Sequence, residues 1–224
     1  SVIDPPTIIA THLTEIIRRN AADILDRQAV SDIIEKVKEK NSIVVEEVLN
    51  GNNKFTYGEI ERVLKNLLEE QVSIRNMPEI LATLADYAPI SKNPYLLTEK
   101  VRQRLGSQIC LQYADQNKVL HVLNLSQDLA EKIYEHKIEQ PGQRPQVAFD
   151  PVDMRAYINA MSSSIAAIRE RFFLPIVLCP DEVRHLVYAS TKEMPGIVIL
   201  SVTEVQNATA SGVKLEILGE INVQ

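Results

Sequence analysis

The stretch from Glu59 to Ala88, EIERVLKNLLEEQVSIRNMPEILATLADYA, constrains the fold most. Ile60, Val63, Leu64, Leu67 and Leu68 recur at the spacing of one wide apolar helical stripe. Gln71 to Asn76 carries a turn. Asn76 is placed to cap a second helix, and Pro78 falls in its first turn, where a missing N–H costs nothing. Ile80, Leu81, Leu84 and Ala88 stripe that second helix. By period alone the pair reads as two core helices of a helical domain.

The flanks carry the same period. Asp4-Pro5-Pro6-Thr7 is a stop-and-start signal, and Ile9, Leu13, Ile16 and Ile17 stripe a helix to about Arg19. Val30, Ile33, Ile34 and Val37 stripe another from about Arg27 to Lys40, with Lys36, Lys38 and Lys40 at its negative end. Ser42 to Leu49 predicts a short helix, with Val44, Val45, Val48 and Leu49 inward. Thr56 and Glu59 have capping-box spacing. Pro94 opens a long helix through Leu97, Val101, Leu105 and Ile109.

Near Lys118 the character changes. Val119–Leu123, Val147–Phe149, Pro175–Cys179 and Gly196–Leu200 read as strands, the first and last two as short buried runs. Ser126 caps a helix to about Ile138, Pro151 opens one striped by Met154, Tyr157, Ile158, Met161, Ile165 and Ile168, and Pro180 opens a third. Asn207 to Gly212 turns the chain into a half-exposed strand in which Val213, Leu215 and Ile217 alternate with Lys214 and Glu216. The expected fold class is α+β multidomain. An N-terminal all-helical subdomain, residues 21–113, precedes a small α/β subdomain with a mixed sheet, residues 114–224.

Chemistry is sparse. With 24 Lys and Arg against 30 Asp and Glu the net charge is −6, which argues against a nucleic-acid surface. Cys110 and Cys179 sit in apolar runs with no Cys or His at metal spacing, as buried thiols of a reducing compartment do; a redox or catalytic cysteine is the alternative. No run approaches the ~18 apolar residues of a membrane span. The chain opens at Ser1 without Met and reads as a piece of a longer protein, so this says nothing of the parent. His12 and Glu15 lie three apart on one helix, a metal pair or, more plainly, an interface or cap-proximal histidine. There is no Gly-rich phosphate loop and no GxSxG elbow, and Ser162-Ser163-Ser164 reads as a close helix-packing face. No catalytic residue, metal or cofactor is expected. An enzyme whose site is assembled in a cleft between the two parts is the alternative.

The wording carries more than the period. ATHLTEIIRRNAADILDRQAVSDII, then VEEVL, RVLKNLLEEQVSIRNMPEILATLADYAP and LLTEKVRQRLGSQIC, and later LPIVLCPDEVRHLV and IVILSVTEV, resemble the C-terminal cytosolic region of the FlhA export-gate family of bacterial flagellar and type III secretion systems. The resemblance implies a parent with an N-terminal membrane half at the bacterial inner membrane, and a cytosolic part of four subdomains. Residues 1–20 would be the last helix of the first subdomain. The second would be absent, and the helical third and α/β fourth would follow.

It also implies a non-enzymatic role. The region would dock export chaperone–substrate complexes, meet other export proteins (the ATPase complex and the substrate-specificity switch protein) and self-associate into a nine-membered ring, on the cytoplasmic face. Thr11 of the ATHL motif and its neighbour His12 become candidate partner-binding residues. Arg75, with Asn76 and Glu79 beside the turn, becomes a candidate ring contact. Val202-Thr203 departs from the family's frequent Tyr-Asn pair, and Asn207–Gly212 reads as a longer hairpin turn. A flagellar member is the leading reading and an injectisome homologue the alternative.

Overall fold

Apolar spacing and caps set the helices of the first unit. The computed structural model describes residues 21–223, so the expected helix ending near Arg19, with Thr11 and His12, lies outside the described residues. The chain divides into two units between Leu105 and Gly106. Before that point run α1 (Arg27–Lys38), α2 (Ser42–Asn50), α3 (Tyr57–Glu69), α4 (Met77–Tyr87) and α5 (Pro94–Arg104). Asp26 caps α1, its side chain accepting from the Ala29 N–H at 2.8 Å. Thr56 and Glu59 complete the expected capping box on α3, at 3.1 and 2.9 Å. Asn93 accepts from the Tyr95 N–H at 2.9 Å to start α5.

Asn76 differs from expectation. It occupies the cap position of α4, but with φ −86° and ψ 55° its backbone is not extended, and its side chain caps nothing. The stripes hold: Ile60, Val63, Leu64 and Leu67 of α3, Ile80, Leu81 and Leu84 of α4, and Leu97 and Val101 of α5 are all buried. Two polar pairs accompany them. Asn66 Nδ2 donates to Thr98 Oγ1 at 3.1 Å, and Arg102 meets Glu70 at 3.6 Å with its side chain 2% exposed.

The single long helix expected from Pro94 is two. Leu105 ends α5 at φ −91° and ψ 17°, and α6 (Gly106–Tyr113) begins the second unit instead of closing the first. The unit division therefore falls eight residues before the boundary read from sequence. The cause is a tertiary contact at Gly106. A Cβ there would stand 2.4 Å from the Glu204 carbonyl oxygen and 3.0 Å from Asn207 Cβ.

The second unit continues with β1 (Val119–Leu125), α7 (Gln127–Glu135), β2 (Lys137–Ile138), β3 (Gln146–Val147), α8 (Pro151–Glu170) and β4 (Ile176–Cys179). A 3-10 turn leads to α9 (Arg184–Thr191), followed by β5 (Val198–Ser201), α10 (Val202–Ala208), a second 3-10 turn and β6 (Lys214–Ile221). Four strands form a parallel sheet in the order β5-β4-β1-β6, while β2 and β3 pair antiparallel as a separate ribbon. The α+β class holds, with the two pairing senses in two sheets instead of one. On one face Leu123, Leu125, Val177, Cys179, Ile199 and Ile221 pack into a core with Tyr157, Met161, Ile165 and Ile168 of α8. Leu120 and Val122 point to the other face and are buried there.

The terminal hairpin is overturned. Residues 202–208 are helical, and β6 runs parallel to β1 from Val119↔Lys214 to Leu125↔Ile221, on the sheet side away from β5. Parallel neighbours need a crossover and not a tight turn, and α10 lies in it. Gly212, at φ 83°, then admits the left-handed step before β6. Leu215 and Ile217, expected inward, are 40% and 56% exposed although their β1 partners Leu120 and Val122 are buried, because the cover over that face stops short of β6 at the sheet edge.

Replacing Gly106 with Ala forces the Glu204 carbonyl to move. Such overpacking costs about 1–3 kcal/mol, so the urea midpoint followed by circular dichroism should fall. An unchanged midpoint would show that α6 is not pinned at this glycine.

Candidate self-association surface

The α3–α4 turn is built by burial on either side of it. Leu67 and Val72 sink into the helical core before the turn and Met77 and Ile80 after it, which leaves Arg75 and Asn76 facing outward. Gln71, at φ 61°, reverses the chain at the end of α3. The Arg75 N–H donates to Ser73 Oγ at 3.3 Å, and among the described residues no ion pair holds its guanidinium. Glu79, one turn into α4, is already engaged. Its carboxylate accepts from Arg104 at 3.0 Å, and Arg104 reaches Asp86 at 3.2 Å with its other nitrogen. The hydrogen bond that Arg104 donates to Glu79 is the main cause raising the Arg104 pKa. The structure thus brings Arg75 and Asn76 together at an exposed turn and ties Glu79 into an ion-pair row beside it. Such an exposed row contributes ~0–1 kcal/mol to stability, so it acts chiefly as a charged surface.

Sequence reading passes over a second cluster, in the α/β unit. His121 of β1 places Nε2 2.8 Å from Asp115, ahead of the strand, and Nδ1 3.4 Å from Glu216 of β6. Its ring lies 4.9 Å from that of Phe173, and the Arg171 guanidinium covers the other ring at 5.3 Å. The signal for this cluster is absent from sequence, since Asp115 precedes β1 at no motif spacing and Glu216 comes from β6, which meets β1 only in the fold. Among the described residues no group of three or more His, Cys, Asp or Glu is arranged to hold a metal ion, and no helix is long and apolar enough to cross a membrane.

Taken together, a helical unit, a parallel α/β unit and an exposed charged turn define, among the described residues, a two-unit α+β protein. More narrowly, the chain belongs to the FHIPEP family, whose model matches residues 1–210. It is 36% identical over 225 residues to the flagellar biosynthesis protein FlhA of Borreliella burgdorferi, covering all of this chain and 31% of that protein. To the flagellar biosynthesis protein FlhA of Treponema pallidum it is 38% identical over 231 residues, again with 100% and 31% coverage. The chain therefore spans about a third of the length of these relatives. Its fold is shared with the CdsV protein of Chlamydia pneumoniae, with a TM-score of 0.81, 24% identity and coverage of 96% of this chain and 60% of that one. It is shared also with the nonameric EscV cytosolic domain of a type III secretion system, with a TM-score of 0.74, 24% identity and coverage of 91% and 58%.

The His121 cluster makes a pH prediction. Hydrogen bonding to Asp115, and then contact with Glu216, raise the His121 pKa above its ordinary value of about 6.5. Asp115 is lowered, first by the Val119 N–H and next by His121. The imidazolium is bound better by the folded state than by the unfolded chain. Its stabilisation is therefore complete below pH ~6.5 and is lost as the pH rises through the folded-state pKa. His121→Asn should lower the melting temperature more at pH 6 than at pH 9. An equal drop at both would dismiss the charged clamp.

Proposed function

We propose that the chain is the helical and α/β portion of the cytosolic part of a flagellar type III export gate. The observation that carries this reading is the 36% identity to a flagellar FlhA across the whole chain. A flagellar member is favoured over an injectisome homologue because the flagellar relatives reach 36% and 38% identity, against 24% for CdsV and EscV. The parent protein is read as embedded in the bacterial inner membrane, with this part on the cytoplasmic face. Its role is binding and assembly, not catalysis, and its partners are proteins and not nucleic acid, in keeping with the net charge of −6.

Two activities belong to this reading. The first is ring formation through the helical unit, with the exposed Arg75 and Asn76 meeting the charged surface of a neighbouring copy and Glu79 contributing through its row with Arg104. The second is docking of export chaperone–substrate complexes, for which Thr11 and His12 are the candidate residues, together with contacts to the export ATPase complex and the substrate-specificity switch protein. The nonameric state of EscV supports the first, and the complex of CdsV with CdsO supports partner binding by this fold.

Arg75→Glu should weaken self-association about tenfold, or ~1.4 kcal/mol, in sedimentation equilibrium. A dissociation constant that does not move would exclude the turn as a ring contact. For docking, the full cytosolic region of the parent should co-elute with a flagellar chaperone–substrate complex, and Thr11→Asp should reduce that binding about tenfold. If no such complex binds even the full region, the docking role fails.

A further inference from the structure

The parallel sheet has two edges, and the fold treats them differently. β5, on one edge, is four residues long, and Ile199, Leu200 and Ser201 are buried, so that edge is enclosed. β6, on the other edge, is eight residues long, and Lys214, Leu215, Glu216 and Ile217 are exposed. Proteins commonly protect an edge by keeping it short, covering it or placing proline in it. β6 contains no proline, and among the described residues no strand pairs with its outer side. Its register shift against β1 comes only after Ile217, so the first four residues form a regular ladder.

The backbone of that ladder has a free row. The Lys214 N–H donates to the Lys118 carbonyl at 2.9 Å, so Lys214 turns its backbone groups towards β1. Direction alternates along a strand. Glu216 therefore also faces β1, while Leu215 and Ile217 turn N–H and C=O away from the sheet. The same two residues carry the exposed apolar side chains of the strand. An outward main-chain row beside uncovered apolar side chains is what an added strand requires, the first for affinity and the second for selecting alternate residues.

Charge narrows the occupant. Glu216 stands on the opposite face from Leu215 and Ile217, 3.4 Å from His121, with Asp115 2.8 Å from the same ring. Glu220, further along β6, is exposed, and among the described residues it forms no ion pair. Two neighbouring cations are directed elsewhere. The Lys118 ammonium donates to the Ser211 carbonyl at 3.0 Å, and the Arg171 guanidinium lies over the Phe173 ring. Opposite charges on facing strands attract and like charges repel, so the positions beside Glu216 and Glu220 favour basic residues.

We infer that the open edge of β6 receives an extended segment of another protein as a fifth strand of the sheet, with apolar residues beside Leu215 and Ile217 and lysine or arginine beside Glu216 and Glu220. The inference uses no residue of the helical unit and does not depend on the export-gate reading.

A fluorescent peptide as long as β6, alternating valine with lysine, tests it on the intact chain. Binding should raise the anisotropy, and amide hydrogen exchange should slow at Leu215 and Ile217. The same peptide N-methylated throughout keeps its side chains and charges but has no N–H to donate, and should bind at least about tenfold more weakly. A valine–glutamate peptide should be weakened about as much. Ile217→Lys and Glu220→Lys each set a like charge against the basic peptide and should each reduce its affinity about tenfold. Circular dichroism should show both surface variants folded. No binding, equal binding of the N-methylated or the acidic peptide, protection confined to other amides, or indifference to either variant would each overturn the proposal. So would a doubled mass with Leu215 and Ile217 already protected before peptide is added, since the occupant would then be a second copy.

Discussion

Arg184 and Glu204 meet at 3.8 Å with side chains only 1% and 0% exposed, and the α/β unit is arranged around that contact. The Glu204 carboxylate also accepts from the Ser201 N–H at 3.0 Å, and the Glu204 N–H returns a bond to Ser201 Oγ at 3.2 Å. Arg184 in turn donates to the Ile199 carbonyl at 3.0 Å. One acid therefore fixes the end of β5, the start of α9 and the first turn of α10. Its own carbonyl receives the Cys110 thiol at 3.7 Å and faces Gly106, which brings in α6. A buried ion pair contributes little net stability over an apolar replacement, but leaving either partner alone costs ~3–5 kcal/mol. The pair acts as a registration device. With α10 held there, the chain crosses back over the sheet and β6 pairs parallel to β1.

The helical unit solves the same problem at smaller scale. Its stripes bury the faces of α3, α4 and α5, but helices striped with aliphatic residues could slide by a turn at small cost. Asn66 with Thr98, and Arg102 with Glu70, are paired across α3 and α5 in the interior. A slip of either helix would strand a buried polar group, at a cost of ~1–3 kcal/mol for the neutral pair and more for the charged one. Register in turn decides which residues of the α3–α4 turn face out, so the exposure of Arg75 is a consequence of polar pairs well inside the unit.

What the sequence makes legible follows from range. Stripes such as Ile60–Leu67 and caps such as Thr56–Glu59 depend on neighbours within a few residues, and they appear as read. Ser201-Val202-Thr203-Glu204 carries the same cap spacing and announces α10, yet a strand on each side masks it as a hairpin. The break at Leu105 shows no local breaker beyond one glycine, because its cause, the Glu204 carbonyl, lies about a hundred residues away in sequence. The exposure of Leu215 and Ile217 is hidden in the same way. Alternation tells which side chains share a face, not whether anything covers that face. His121 is the sharpest case, a histidine with no motif: Asp115 lies six residues before it at no recognisable spacing, and Glu216 is brought to it only by parallel pairing of β1 and β6. The candidate residues of the α3–α4 turn came from wording rather than from pattern, and their outward placement is geometry that neither period nor wording contains.

Once the interior is accounted for, the two units are left with different kinds of surface. The helical unit shows charge at its turn, where Arg75 stands beside the Glu79–Arg104–Asp86 row. The α/β unit shows apolar side chains, Phe172 and Leu174 before β4 and Leu215 and Ile217 on β6. Contacts of the first kind weaken as ionic strength rises, while burial of apolar surface does not.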